Sequence, residues 1–430
     1  MLLLKNYLKK PIVCQCGRTH RAGTKAIHVG SGVVRNLPLL LNDCAFIGRG
    51  LVVGDNNTFA VAGNEINQIL SLAHRPFERL TLPVAQNSTK VKADFETLQM
   101  IANALKNDFR WAIAVGSGTI NDLVKIAAYE ANIPYLVIAT AASMDGYLSA
   151  NAAYLKNGVK LQITNLCPPV GVIADSHILK TAPTLLVRSG LGDCLGKVVS
   201  LMEWQLNRFV SNEVYCDKIS RLVKTELKNL LVVAQKYPLE SEEFNAALIK
   251  MLLVSGLAMQ LNGNSAPASG GEHWISHAIV MYHFAKYGDV KTLHGLEVAA
   301  GASLLMREYR KFFRNRKGKK LQDVDVMRYQ KSNHDWTKLK VDTAAIARHK
   351  INHLLQHHSR FADLARPKFR RSVAGLLKLI DPIKKLYRKF ELPTNLKKLG
   401  ITDEDALFIR QNARVIRNRI SIIDVNSLLI

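Results

Sequence analysis

The stretch WAIAVGSGTINDLVKIAAYEANIPYLVIATAAS, residues 111–143, decides how the chain is read. An apolar run, WAIAV, leads straight into Gly116 and Gly118. A helical period follows, and a second apolar run, YLVIA, closes the unit. Unbroken apolar strands predict a sheet covered on both faces. Strand, helix and strand in that order predict a right-handed crossover between parallel neighbours. The two glycines let the backbone approach a phosphate closely, and the next helix offers its first N–H groups and positive dipole end. A third glycine at the G-x-G-x-x-G position is missing, so an ordinary tight strand-to-helix turn would look the same.

Upstream, AFIGRGLVVGD reads as a strand ending at Asp55, FERLTLPV as a short strand and VKADFETLQMIANALKND as a helix. Downstream, VGVIAD is a further strand. Alternation of this kind predicts an α/β domain with a parallel sheet over residues 1–175. From 176 to 430 long helical periods take over, as in GLGDCLGKVVSLMEWQLNRFV and HGLEVAAGASLLMREYRKFF, and predict an all-helical domain. Thr140, Ala141, Ala142 and Ser143 end a predicted strand, and their small side chains leave room for a ligand where parallel sheets bind one. Asp145 follows in a loop, where an acid is commonly a turn former.

The chain has 430 residues, 48% of them hydrophobic, with 59 Lys and Arg against 34 Asp and Glu and a formal net charge of +25. That surplus attracts polyanions and small phosphorylated ligands alike. The Lys- and Arg-rich stretch 306–390 interleaves its charges with Leu, Ile and Ala at helical spacing, which predicts the solvated face of packed helices more than a nucleic-acid surface. The N-terminal apolar run is too short for a signal peptide, and ALIKMLLVSGLAMQL, interrupted by Lys250, is too short for a membrane span. A cytoplasmic protein is expected. Cys14, Cys16, Cys44, Cys167, Cys194 and Cys216 show no disulfide spacing and are expected as thiols in a reducing compartment. CQCGRTH offers Cys14, Cys16 and His20 as a metal clip, yet the stretch lacks a fourth ligand and reads more simply as a surface turn.

SGGEHWISH sets His273 and His277 four apart, on one face of a predicted helix. Trp274 stands where H-E-x-x-H proteases have their general base. Asp193 in GLGDCLGK and His294 in TLHGLEV lie on other helical segments. Singly, each residue reads as a helix-end charge or a core ring. Together, one carboxylate and two imidazoles suit a divalent ion such as Zn²⁺.

GSGTINDL, TAASMDGYLS, GLGDCLGK, PASGGEHWISH and LHG, in this order, resemble the sn-glycerol-1-phosphate dehydrogenases, which group with the 3-dehydroquinate synthases and iron-containing alcohol dehydrogenases. The resemblance implies a dehydroquinate synthase-like fold, a Rossmann-like N-terminal domain followed by a helical domain that binds metal and substrate. It implies NAD(P)H contacts at Gly116, Ser117, Gly118, Thr119, Ile120, at Thr140, Ala141, Ala142, Ser143 and at Ser149, with Asp55 at the adenosine end. It implies metal ligands at Asp193, His273 and His294, with Zn²⁺ or Ni²⁺ as the ion. His277, Asp145 and Asp193 are implied at the substrate. The implied reaction is the reduction of dihydroxyacetone phosphate to sn-glycerol 1-phosphate, a phospholipid precursor, by a homodimer. Two departures stand out. HGLEVAAG lacks the acid that the family more often has directly after HG, and the basic helical insert around 307–370 is longer than usual; Lys197, where iron-type alcohol dehydrogenases have a further histidine, sets the chain apart from those enzymes. A related dehydrogenase of glycerol or another small polyol or phosphonate, or an inactive relative, is the alternative.

Overall fold

A computed structural model describes residues 6–8, 10–84, 90–156, 159–314 and 344–428. The centre of the basic stretch, 315–343, lies outside the described residues. The chain divides into two compact units: residues 1–194 with 225–265, and residues 195–224 with 266–430.

The first unit is built on six parallel strands: β3 (Ala26–Gly30), β4 (Gly50–Asp55), β5 (Phe77–Leu82), β6 (Trp111–Gly116), β7 (Tyr135–Ala139) and β10 (Gly171–Asp175). Their order across the sheet is β3-β10-β7-β6-β4-β5, and every pairing is parallel. β4, β6, β7 and β10 are buried along their whole length, as their unbroken apolar runs require. Helices α1 (Leu37–Asp43), α2 (Asn64–Leu72), α3 (Phe95–Ala104) and α4 (Gly118–Glu130) fill the connections. From β4 the chain steps outward to β5, then returns to the other side of β4 as β6. Between β4 and β6 the winding therefore reverses, and a ligand crevice opens at the carboxyl ends of such strands. Asp55 and Gly116 stand at those two ends.

Two small hairpins flank the sheet: β1 (Ile12–Val13) with β2 (Thr19–His20), and β8 (Ala152–Lys156) with β9 (Val159–Ile163). Neither is among the elements read from the sequence: β1 and β2 are two residues each, too short to show alternation, whereas Asn157-Gly158 between β8 and β9 is a hairpin signal that the strand-and-helix alternation passed over.

Helix α5 (Thr184–Ser211) runs unbroken from the first unit into the second, and α6 (Asp217–Lys236) runs back. Helix α7 (Glu242–Asn262) belongs to the first unit. Its 21 residues are apolar and long enough to cross a membrane, which the shorter run seen in sequence was not, but 78% of the apolar window is buried inside the protein. Lys250, the charge that interrupts it, pairs with Glu226 of α6 at 2.9 Å.

The second unit is helical: α8 (Gly271–Tyr287), α9 (His294–Arg314), α10 (Ala344–His357), α11 (Pro367–Leu377), α12 (Ile380–Lys389), α13 (Asp403–Asn412) and α14 (Ile422–Leu428). Tyr309, Phe312, Phe369 and Tyr387, aromatics of the basic stretch, are all buried, and Phe312 and Phe369 meet edge to face. They are core residues and offer no stacking surface to a nucleic acid.

Candidate active site

The glycine turn sits at the carboxyl end of β6. Ser117 precedes α4 in extended conformation, and its hydroxyl does not cap the helix. The first turn of α4 carries no acid. Helix N–H groups uncapped by side chains, with no negative charge beside them, suit an anion. The cradle is tight: a Cβ on Gly118 would lie 2.8 Å from Met144 Cγ. Ile120 turns back under the turn and is buried. Thr119 belongs to the same first turn.

Thr140 continues β7 and donates its N–H to Gly116 O at 3.2 Å, so the two strand ends are joined. Ala141, Ala142 and Ser143 are buried beneath α5. Tyr147 donates to Ala141 O, Ser189 donates to Ser143 O at 3.1 Å, and a Cβ on Gly190 would fall 1.9 Å from Ala142 O. Helix α5 thus starts by pressing its backbone on the end of β7. Ser149 belongs to a buried network, donating to Asn151 O at 2.7 Å beside Lys125, whose ammonium reaches Gly146 O, Asn151 O and Asp122. Burial pushes the Lys125 ammonium below its ordinary pKa, against the pull of Asp122. Asp55 is buried and caps the turn after β4, accepting from Thr58 N at 2.7 Å.

Asp145 and Asp193 come together in the first unit. The Asp145 N–H donates to Asp193 Oδ2 at 3.0 Å, and Ser255 of α7 donates to Asp145 Oδ2 at 2.8 Å. Asp193 is fully buried.

In the second unit His273 and His294 face each other, their ring centroids 5.3 Å apart. Each imidazole is held from behind. His273 Nδ1 lies 2.8 Å from Glu272 Oε1, and the same oxygen accepts from Ser200 and from Gly270 N. Burial pushes the Glu272 carboxyl up, but these bonds prevail and hold it below its ordinary pKa. His294 Nδ1 lies 3.0 Å from Ser276 Oγ, and Ser276 in turn donates to Glu297 Oε2 at 2.6 Å. A hydroxyl has a single proton, and the carboxylate takes it. Ser276 therefore accepts from His294, whose proton is on Nδ1. Both histidines are assigned the Nδ1–H tautomer, and Nε2 is the nitrogen with a lone pair for a metal.

His277 is held the opposite way. Arg417 donates from Nη2 to His277 Nδ1 at 3.1 Å, which places the ring proton on Nε2. The turn of helix that separates His273 from His277 thus separates two tautomers.

Helix α5 carries Asp193 one turn before Lys197. Lys197 is buried and donates to Ala268 O at 3.0 Å, while Gly196 lies against Glu272 and Val298. Within the second unit, this part of α5 is thereby held against the segment that leads into His273.

Glu272, Ser276, Glu297, Arg417 and Ser255 were not singled out from the sequence. Glu272 stood beside His273 in SGGEHW, and Arg417 lay in IRNRISIID. Glu297 was read only as part of the departure in HGLEV. It is fully buried and also accepts from Thr292 Oγ1 at 2.6 Å. One residue beyond the family's usual position, an acid still holds the ligand helix.

The model of the iron-containing alcohol dehydrogenase family matches residues 28–183. A protein of Halalkalibacterium halodurans, named glycerol-1-phosphate dehydrogenase (NAD(P)+), is 32% identical over 309 residues, covering 72% of this chain and 76% of its own. The chain belongs to the glycerol-1-phosphate dehydrogenase family. Other members include proteins of the same name from Bacillus licheniformis, 34% identical over 71% of this chain and 76% of its own, and from Thermococcus kodakarensis, 31% identical over 60% and 70%. Solved structures share the fold of this glycerol-1-phosphate dehydrogenase family member. They include a probable glycerol dehydrogenase from Sinorhizobium meliloti, with TM-score 0.56, 19% identity and coverage of 94% and 95%. An iron-containing alcohol dehydrogenase from Thermococcus thioreducens gives TM-score 0.61 at 15% identity, with 94% and 97% covered.

Proposed function

We propose that this protein reduces dihydroxyacetone phosphate to sn-glycerol 1-phosphate with NAD(P)H, using one divalent ion held by Asp193, His273 and His294. The observation that carries the metal reading is the shared tautomer of the two facing histidines, each with its Nδ1 proton given to a buried acceptor. A carboxylate and two imidazoles are borderline donors that fit Zn²⁺ or Ni²⁺.

Each group of residues has a separate task. The N-terminus of α4 takes the pyrophosphate of the dinucleotide, and the packed segment 140–143 sets how deep the cofactor sits. Bound there, the reduced nicotinamide supplies the hydride. Bound at Asp193, His273 and His294, the ion supplies Lewis acidity towards the negative charge that grows on the substrate oxygen. His277 donates from Nε2 to a substrate oxygen while Arg417 holds its other nitrogen. Asp145, steadied by Ser255, accepts from a substrate hydroxyl. The names of the relatives supply the substrate class, and the surplus of Lys and Arg suits its phosphate. The assembly proposed is a homodimer, which light scattering checks.

The test is oxidation of NADH or NADPH with dihydroxyacetone phosphate, on protein stripped of metal and refilled with Zn²⁺ or Ni²⁺. Turnover that needs the ion, and is absent with unphosphorylated dihydroxyacetone, is expected. Equal turnover of both ketones would move the substrate to an unphosphorylated polyol. No turnover with either ion, despite bound dinucleotide, would make the chain an inactive relative.

A further inference from the structure

The hairpin of β1 and β2 brings together residues that the catalytic reading leaves unused. Cys14 and Cys16 lie in the turn, and His20 closes it. Gly17 adopts a φ of +83°, and its N–H returns to Cys14 O at 3.0 Å, so the turn is sharp enough to fold both thiols towards the ring. Cys16 Sγ lies 3.3 Å from His20 Nε2, and the ligand atoms of Cys14, Cys16 and His20 are all within 4.8 Å of one another. Tetrahedral zinc with ordinary Zn–S and Zn–N bonds sets its ligand atoms about 3.5–3.8 Å apart. The hairpin is close to that spacing.

His20 is oriented as a ligand would be. It is buried, and its Nδ1 meets Leu261 O at 2.6 Å. A carbonyl only accepts, so the ring proton is on Nδ1 and Nε2 faces the thiols. Arg18 reaches Asn262 O at 3.2 Å, so the hairpin is docked on the end of α7 by two bonds.

The fourth ligand comes from the start of α6. Helices α6 and α7 are joined by a short connection and run antiparallel, with Glu226 level with Lys250. Ten residues back from Glu226 is Cys216, and ten residues on from Lys250 is Gln260, next to Leu261. Antiparallel helices rise equally per residue, so this register brings Cys216 to the level of the carbonyl that holds His20. Cys216 is buried and forms no disulfide.

We propose that Cys14, Cys16, His20 and Cys216 form a closed structural zinc site, separate from the catalytic ion. Three thiolates and one imidazole are a structural donor set with no position left for substrate. The ion would staple the N-terminal hairpin and the α6 start to the end of α7. Because Cys216 lies far along the sequence from the other three, the spacing of CQCGRTH alone shows only Cys14, Cys16 and His20.

The test is cobalt substitution of the full chain, followed by absorption spectroscopy. Thiolate-to-cobalt charge transfer is expected in the wild-type protein and also in His273→Ala, which lacks a ligand of the other proposed ion. Cys216→Ser and Cys16→Ser should each remove most of that absorption, lower zinc content by one equivalent per chain, and reduce the melting temperature. A second measurement needs no variant: a mercurial reagent added to the native zinc protein should release zinc in step with thiol modification, read with a chromogenic chelator. Absence of thiolate charge transfer in the wild type, or a band unchanged in both serine variants, would overturn the proposal. So would thiol modification that releases no zinc. None of these readouts is activity, so failure of the catalytic reading would leave this one standing, and the reverse.

Discussion

Around the turn Gly116–Gly118 and the segment 140–143, the protein presents backbone and small side chains, packed so closely that Gly190 has no space for a methyl group. Around His273 and His294 it presents buried acids, a hydroxyl and a guanidinium, each engaged with a partner. The first region works by leaving room and exposing N–H groups. The second works by fixing protons. A substitution harms the first by filling space and the second by unpairing a polar group, so the two should fail in different ways.

The largest effect is expected at the histidines. His273→Ala should lose both the catalytic ion and turnover. His277→Ala should keep the ion and lose roughly 10²–10⁴-fold in turnover, the usual contribution of a positioned acid. Metal analysis alongside kcat decides this. Equal metal content in the two variants would break the assignment of opposite tautomers.

Next come the groups behind the ligands. Ser276→Ala and Glu297→Gln should each weaken metal affinity by roughly 10–100-fold while leaving dinucleotide affinity unchanged. Competition with a chelator measures the first, and quenching of protein fluorescence by NADH the second. Loss of dinucleotide binding in either variant would mean that the two regions are not distinct in function.

Gly190→Ala tests the packed region. Its methyl group would meet the Ala142 carbonyl, a backbone atom that cannot step aside cheaply. Overpacking of this kind costs about 1–3 kcal/mol. Denaturant unfolding should show that loss, together with weaker NADH binding.

The last effect is confined to a pH window and concerns Glu203 on α5. It is fully buried and accepts from Tyr309, Ile422 N and Gly271 N. Burial raises its pKa to about 7 despite these bonds, with the Glu272 charge adding to the rise. The folded state therefore keeps a proton that the unfolded state releases near the ordinary carboxylate range. Stability from this group is fully present below that range and falls as pH rises to about 7, by roughly 3 kcal/mol. The difference in unfolding free energy between wild type and Glu203→Gln should carry that slope between about pH 4.5 and 7 and be flat above it. A difference without slope would contradict the raised value.

The same contrast decides what the sequence could reveal. The parallel sheet was legible because β6 and β7 are buried on both faces, and burial of that kind writes an unbroken apolar run. The glycine turn was legible because absent side chains are visible as glycines. The groups behind the histidines were not. Ser276 and Glu297 each lie three residues from a histidine of the motifs, His273 and His294, but a serine and a glutamate in a helix are ordinary, and what makes them matter is the chain His294–Ser276–Glu297 between two helices. Cys216 was hidden for the same reason. Its role depends on the register of α6 against α7, which no local spacing encodes. Glu297 also shows how a departure misleads: the family's acid was missed at one position while another acid served from the next face of the turn.

The close seat of Gly190 on Ala142 acts as a ruler. Helix α5 is clamped to the end of β7 at that point, and Asp193 follows three residues later on the same rigid helix. One residue inserted before Gly190, in the connection from β10, would be absorbed by the loop. One residue inserted between Gly190 and Asp193 would turn the carboxylate by about 100° around the helix axis. In this protein the reach from clamp to carboxylate is set by a count of residues, and that short interval is the part of the chain whose length cannot drift.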